Sequence, residues 1–202
     1  AIFLFMLILF FFYLKTKQVY SLFYALFCLG FIFNHIVIEG LLGFYRPSVN
    51  WSLIMNEGHF MFALFYQFFL VLGTMHLLKW RQHFNKLIIF IYLALASSFS
   101  LFFFFFFVDY GLLVKPYFLN AFFILGLFII ALIYQMIKKD RMTLIYSLSW
   151  AHGIFIFFSY LYNFKSGSYS HSIGFLVSTT IHLLILCIWI YRLDIKKKIY
   201  SK

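Results

Sequence analysis

Hydrophobic residues in this chain form long runs separated by short polar segments, without the strict alternation of a strand that faces water. Leu101 to Val108, for example, is apolar at every position. A helix rises about 1.5 Å per residue and the hydrocarbon core of a bilayer is about 30 Å thick, so a membrane span needs about 20 apolar residues. The runs predict seven transmembrane helices, at residues 1–14, 19–38, 53–78, 87–108, 117–137, 142–162 and 172–191.

The run pattern predicts an all-α bundle, because a membrane-spanning barrel would need alternating strands. Both prolines, Pro47 and Pro116, fall between runs, so we expect neither to lie in a helix. The first run is shorter than a span, and the chain opens on Ala1 without a methionine. We therefore expect it to be a piece of a longer polypeptide.

Basic residues are distributed unequally among the segments between runs. Only Arg46, Lys115 and Lys165 follow the second, fourth and sixth runs. Because basic loops stay in the cytoplasm, this asymmetry predicts an N-terminus outside and a C-terminus in the cytoplasm. The other thirteen follow the first, third, fifth and seventh runs: Lys15, Lys17, Lys79, Arg81, Lys86, Lys138, Lys139, Arg141, Arg192, Lys196, Lys197, Lys198 and Lys202.

The end of the chain is basic and defines a separate segment. We divide the chain into a seven-helix domain, residues 1–194, and a cytoplasmic exit segment, residues 195–202. In and just before that segment, Arg192 and the lysines Lys196, Lys197 and Lys198 suit the anionic cytoplasmic leaflet.

Composition excludes a soluble domain. Of the 202 residues, 65% are hydrophobic, 26% aromatic and 10% charged, and the mean hydropathy is +0.99. The net charge of +11 raises the question of a nucleic-acid partner. We expect none for this segment, because the charges sit in short clusters between spans and no nucleic-acid-binding motif is present.

Four polar residues near the predicted outer surface form the first candidate site. His35 and Glu39 are four residues apart and share a helix face, while Glu57 and His59 open the third run on the same side. Two imidazoles and two carboxylates suit a zinc ion. The interpretation we favour is a hydrogen-bonded cluster that shapes the outer loop.

His152 and His182 lie near the middles of the sixth and seventh runs, at comparable depth, where they could ligate a haem. Hydrogen bonding within the bundle, with Ser178 one turn from His182, is the commoner role, so we expect no cofactor. A retinal pigment would need a lysine in the seventh run, and none is there. No hydrolase or nucleotide-binding motif occurs, so we expect no enzyme activity.

Three stretches carry a resemblance to a known family. Residues 13–17 form a short basic loop that leads into the aromatic helix start at 20–26. Residues 39–45 form a glycine- and aromatic-rich turn, and Gly174 to Leu193 form a closing helix with a basic end. In these features the whole chain resembles the membrane domain of the bacterial 7TM receptors with diverse intracellular signalling modules. It departs from that family at His182, near which the family often has a glutamate.

The resemblance implies a signal-transducing sensor domain in a bacterial inner membrane, with a sensory domain outside and an output module in the cytoplasm. A homodimer is among the assemblies it allows. Two other hypotheses rest on the residues alone. One is a haem- or metal-binding redox protein that uses the histidines above, and the other is an accessory or anchor subunit of a larger membrane complex.

Overall fold

The computed structural model describes residues 1–38, 49–80, 87–108, 110–137, 146 and 170–200. Within these, the side chains of residues 38, 49–60, 110, 136, 170–176, 178 and 196–200 are not described. The described part is helical and contains no strand. Its helices are α1 (Ile2–Thr16), α2 (Val19–Ile38), α3 (Val49–Leu77), α4 (Leu87–Phe104), α5 (Tyr110–Ile137) and α6 (Ser170–Tyr200).

The first five predicted spans correspond to helices α1 to α5, and the seventh corresponds to α6. The bounds of α2 agree with the predicted run at both ends. The sixth predicted span, residues 142–162, lies outside the described residues except for Tyr146, which is helical. The prediction of an all-helical membrane domain is confirmed for the part of the chain described, while the count of seven spans stays a prediction.

The prediction that Pro116 lies between helices was wrong. Helix α5 begins at Tyr110, seven residues before the predicted start at Tyr117, and contains Pro116. Since proline lacks an amide hydrogen, it leaves the carbonyl one turn earlier without its usual helical donor, yet the helix continues. Lys115, assigned to an outer loop by the run pattern, also lies in this helix.

Three stretches of the described chain are long and apolar enough to cross a bilayer: Val19–Val37, Leu87–Phe104 and Gly111–Gln135. The apolar helices Ile2–Thr16 and Met61–Leu77 are shorter. Thirty-two large apolar side chains in the described part are exposed, Phe107 most of all. Because water would penalise so large an apolar surface, the described part suits lipid, and the chain is a multi-pass membrane protein.

The chain divides into two compact units, one formed by Leu9–Ala131 and the other by Ala1–Ile8 with Leu132–Lys202. In the first unit, α2 packs closely on α3 and α3 packs on α4. Successive contacts run from Tyr24 with Thr74 to Phe33 with Phe62, so α2 and α3 are antiparallel. Trp80, just after α3, is fully buried and meets Phe128 of α5 edge to face at 5.5 Å.

Two lysines end helices in a conformation that suits glycine. Lys17, after α1, has φ 54° and donates its amide hydrogen to the carbonyl of Tyr13 at 2.7 Å. Lys79, after α3, has φ 52°. A left-handed residue at the C-terminal end of a helix is usually glycine, since a Cβ atom crowds the backbone there.

We expect Lys79→Gly to stabilise the protein by about 0.5–1 kcal/mol, because the relief of backbone strain exceeds the added entropy of the unfolded chain. Lys17→Gly should gain less, since it also loses the contact of the Lys17 ammonium with the Tyr13 ring, 5.7 Å away. Thermal unfolding of the two variants in detergent measures both effects. A loss of stability in Lys79→Gly would contradict the strain assigned here.

Candidate functional site

His35 is the one member of the predicted outer cluster whose side chain the structure describes. It lies in the last turn of α2, where its ring stacks on Phe31 at 5.9 Å. Phe31 in turn meets Tyr66 of α3 edge to face at 5.7 Å. His35 is therefore connected to α3 through aromatic contacts, and it lies one turn before residues 39–48, which are outside the described part of the chain.

The other three members of that cluster are not placed. Glu39 lies outside the described residues, and Glu57 and His59 are in α3 but their side chains are not described. The residues that are described contain no group of three or more metal-binding side chains. That finding does not reach the predicted zinc site, which stays a prediction.

His182 is buried in α6, within the second unit. Its ring meets that of Tyr146 nearly at a right angle, with centroids 4.9 Å apart, and Tyr146 meets Trp189 at 5.9 Å. The side chain thus belongs to an aromatic cluster at the core of this unit. His152, the predicted second haem ligand, lies outside the described residues, as does the side chain of Ser178, so the haem hypothesis remains untested.

Close approach of backbones marks the interface between α2 and α3. A Cβ atom on Gly30 would lie 2.5 Å from Cδ1 of Phe65 and 3.2 Å from the backbone nitrogen of Tyr66. Small residues at such positions let helices approach closely, which is how dispersion forces hold helices together in lipid. The close approach of α2 and α3 therefore depends on the lack of a side chain at Gly30.

A buried hydrogen bond lies at the other end of the same interface. The ring of Tyr24 packs on Gly73, where a Cβ atom would be 3.0 Å from it, and its hydroxyl lies 2.9 Å from Oγ1 of Thr74. Thr74 donates its single hydroxyl proton to the carbonyl of Leu70 at 2.9 Å, so Tyr24 is the donor to Thr74. Gly73 therefore positions Tyr24, and Tyr24 joins α2 to α3.

Three polar side chains connect α4 to α5, and we call them the α4–α5 polar clasp: Ser97, Ser98 and Asn120. Asn120 donates from Nδ2 to the hydroxyl of Ser98 at 2.6 Å, and its Oδ1 accepts from Ser97. Ser98 donates its hydroxyl proton to the carbonyl of Ala94 at 3.0 Å, and Oγ of Ser97 lies 2.8 Å from the same carbonyl, so the single Ser97 proton is shared between Ala94 and Asn120. Asn120 and Ser98 are buried, so these bonds satisfy polar groups that lipid could not.

Both interhelical arrangements were missed at the sequence level. Each arrangement is built from small or polar residues that interrupt apolar runs: Gly30, Gly73 and Thr74 between α2 and α3, and Ser97, Ser98 and Asn120 between α4 and α5. Polar and small residues inside a span are the usual signal of a helix–helix contact. The sites predicted from the sequence were built on histidines and carboxylates, and neither arrangement contains one.

The predicted exit of the signal lies on α6. This helix is continuous from Ser170 to Tyr200, so Arg192 and the lysines 196–198 are all helical. Arg192 is exposed. In the described part, the site residues form helix contacts and a basic helix end rather than a constellation of reactive groups.

The sequence of these apolar helices matches a known protein family. A sequence model described as 7TM diverse intracellular signalling matches residues 1–192, nearly the whole chain. The chain belongs to this family. No curated protein and no solved structure matches it.

Membership of the 7TM diverse intracellular signalling family confirms the resemblance predicted from the basic loop, the outer turn and the closing helix. The match includes all of the predicted spans and ends at Arg192, before the three lysines of the exit segment. The protein is thus a membrane domain of the signalling-receptor type.

Proposed function

We propose that this 7TM domain is a signal-transducing sensor domain that couples an extracytoplasmic sensory event to a cytoplasmic output module. Its partners are a fused or associated sensory domain outside and a signalling module inside, and its site is the cytoplasmic membrane of a bacterium. The match to the 7TM diverse intracellular signalling family supports this proposal, because that family joins a seven-helix membrane domain to signalling inside the cell.

The length of α6 is the structural observation behind the proposal. Its 31 residues extend about 46 Å, whereas the hydrocarbon core is about 30 Å thick. One end of this helix therefore extends well past the lipid chains, and the basic residues 192–198 mark that end. A continuous helix is stiff, so a rotation or shift inside the membrane reaches its polar end.

Helix α6 has one side that packs in the protein and one side that is exposed. Buried residues recur along one side of the helix: Thr179, His182, Leu183, Leu186, Trp189 and Ile190. Exposed apolar residues recur along the other: Val177, Ile181, Leu184, Ile188, Tyr191 and Ile195. A stimulus that favours a second packing of the buried side would turn or shift α6 as a whole.

We expect two glycines inserted after Ile195 to uncouple the output module of the full-length receptor, because they break the helix between membrane and output. Seven inserted alanines serve as the control, since they keep the helix and return it to nearly the same phase. The measurement is output activity at matched membrane levels. Replacing Lys196–Lys198 by arginine, which keeps the charge, should leave output unchanged.

Either of two results would refute the coupling through α6. One is unchanged output with the glycine pair, and the other is equal loss with the glycine and alanine insertions. The first would mean that helical continuity is not needed, and the second that any change of length abolishes function.

We also propose the orientation with the N-terminus outside, on the strength of the basic residues. In a variant without Cys28 and Cys187, we expect Lys79→Cys and Lys138→Cys to react with an impermeant maleimide only after the membrane is opened. Arg46→Cys and Lys165→Cys, in the predicted outer loops, should react in intact cells and control for reagent access. Labelling of positions 79 and 138 from opposite sides would overturn the topology.

A further inference from the structure

The interface between α3 and α4 contains a cavity of about 120 Å³. Phe65, Phe68 and Phe69 of α3 and Phe99 and Phe102 of α4 form most of its wall. The rings lie against one another, with centroids 4.7 Å apart for Phe65 and Phe69 and 6.2 Å apart for Phe68 and Phe99. Because these rigid rings support each other, the wall does not collapse into the space.

The cavity is closed on one side and open on the other. Leu64 and Ser98, which also line it, are buried. Phe99 is 54% exposed and forms the rim. An occupant would therefore enter from the side of the helix pair, past Phe99, and end against Leu64.

Water does not suit this cavity. Ser98 is the single polar residue among those that line it, and its hydroxyl already donates to Ala94 and accepts from Asn120. A buried water needs two to four polar partners, and apolar cavities of this kind stay dry. The occupant must be apolar.

The depth of the cavity in the membrane indicates which apolar molecules surround its opening. Its α3 residues lie about 12–20 Å along the helix from Leu77, the end of α3, and so within the hydrocarbon core. Helix α4 is mostly unburied and most of its exposed residues are apolar, so acyl chains surround the rim. We propose that the cavity between α3 and α4 is a binding site for the hydrocarbon chain of a membrane lipid.

The volume sets the length of chain that fits. A protein cavity of about 150 Å³ holds one benzene molecule, so about 120 Å³ holds a segment of about four to six carbons. Filling the space restores dispersion contacts that an empty wall lacks.

Photolabelling of the purified chain tests this site. The protein is reconstituted in phosphatidylethanolamine and phosphatidylglycerol vesicles that contain a little phosphatidylcholine with a diazirine in mid-chain. After illumination, labelled residues are mapped by mass spectrometry. We expect labelling at residues 64–69 and 98–102 to exceed several-fold that of Phe122, Phe123 and Ile130, exposed residues of α5 that contact bulk lipid.

Two variants fill or close the cavity. Leu64→Phe places a larger side chain at the floor and so fills the cavity, while Phe99→Trp places a larger side chain at the rim and so closes it. Each variant should reduce labelling of the cavity wall to the level of the α5 face. Phe123→Trp, the same substitution on an exposed residue away from the cavity, should change nothing. If Leu64→Phe fails to fold, Phe99→Trp still decides, because its site is at the surface.

Equal labelling of the cavity wall and the α5 face in the unmodified protein would overturn the proposal, since the wall would then meet only bulk lipid. Preferential labelling that neither variant reduces would overturn it as well. Both outcomes are independent of whether the domain signals through α6.

Discussion

Replacement of Gly30 by leucine is expected to destabilise the α2–α3 pair by more than about 3 kcal/mol. Even a Cβ atom at this position would lie 2.5 Å from the Phe65 ring and 3.2 Å from the backbone nitrogen of Tyr66. The ring can turn aside but the backbone cannot, so the two helices must move apart. Overpacking of a close interface by single methyl groups already costs about 1–3 kcal/mol, and leucine adds three more carbons.

Gly126 provides a matched control in the same unit. It also lies inside a helix, α5, but a Cβ atom there would meet nothing within 4 Å. Gly126→Leu should therefore be neutral or stabilise by up to about 1 kcal/mol, because leucine favours helix more than glycine does. Thermal unfolding of both variants in the same detergent gives the comparison, and equal effects at the two glycines would show that packing at Gly30 is not what matters.

Substitution of Asn120 by leucine is expected to cost about 1–3 kcal/mol. It removes both interhelical bonds of the α4–α5 polar clasp, the one that Asn120 donates to Ser98 and the one that it accepts from Ser97. Interhelical hydrogen bonds in membranes contribute about 0.6 kcal/mol on average and up to about 1.7 kcal/mol each. The serines keep their bonds to the Ala94 carbonyl, which limits the loss.

Ser100 distinguishes the clasp from an ordinary serine of α4. Its hydroxyl is exposed and donates to the carbonyl of Ala96 in its own helix at 2.9 Å. Ser100→Ala should therefore change stability by less than about 0.5 kcal/mol. A double-mutant cycle of Asn120→Leu with Ser98→Ala should give a coupling of about 0.6 kcal/mol or more. Additive effects of the two substitutions would show that Asn120 and Ser98 do not stabilise the protein through their mutual hydrogen bond.

The positions of the helices followed from the sequence because the bilayer imposes them. A run of apolar residues long enough to cross lipid must pair its own backbone groups, and a helix does this without help from the rest of the chain. The run at 19–38 therefore became α2 with the same bounds. Pro116 shows where the rule weakens, since the predicted span began just after this proline while the helix begins before it, at Tyr110.

Sequence alone could not determine which face of each helix is inside. In water, a core-facing side is apolar and a solvent-facing side is polar, but lipid is as apolar as the core, so both sides carry the same residues. Leu183 is 0% exposed and its neighbour Leu184 is 51% exposed, yet the two are chemically identical.

For the same reason, the sequence alone could not distinguish Gly30, which permits contact with α3, from Gly126, which has no neighbour within 4 Å of an added Cβ atom. Composition, span positions and the charge asymmetry were properties of the sequence itself. The close approach at Gly30, the hydrogen bond of Tyr24 and the polar clasp were decided by tertiary packing, because in lipid shape and hydrogen bonding choose the interface and hydrophobicity does not.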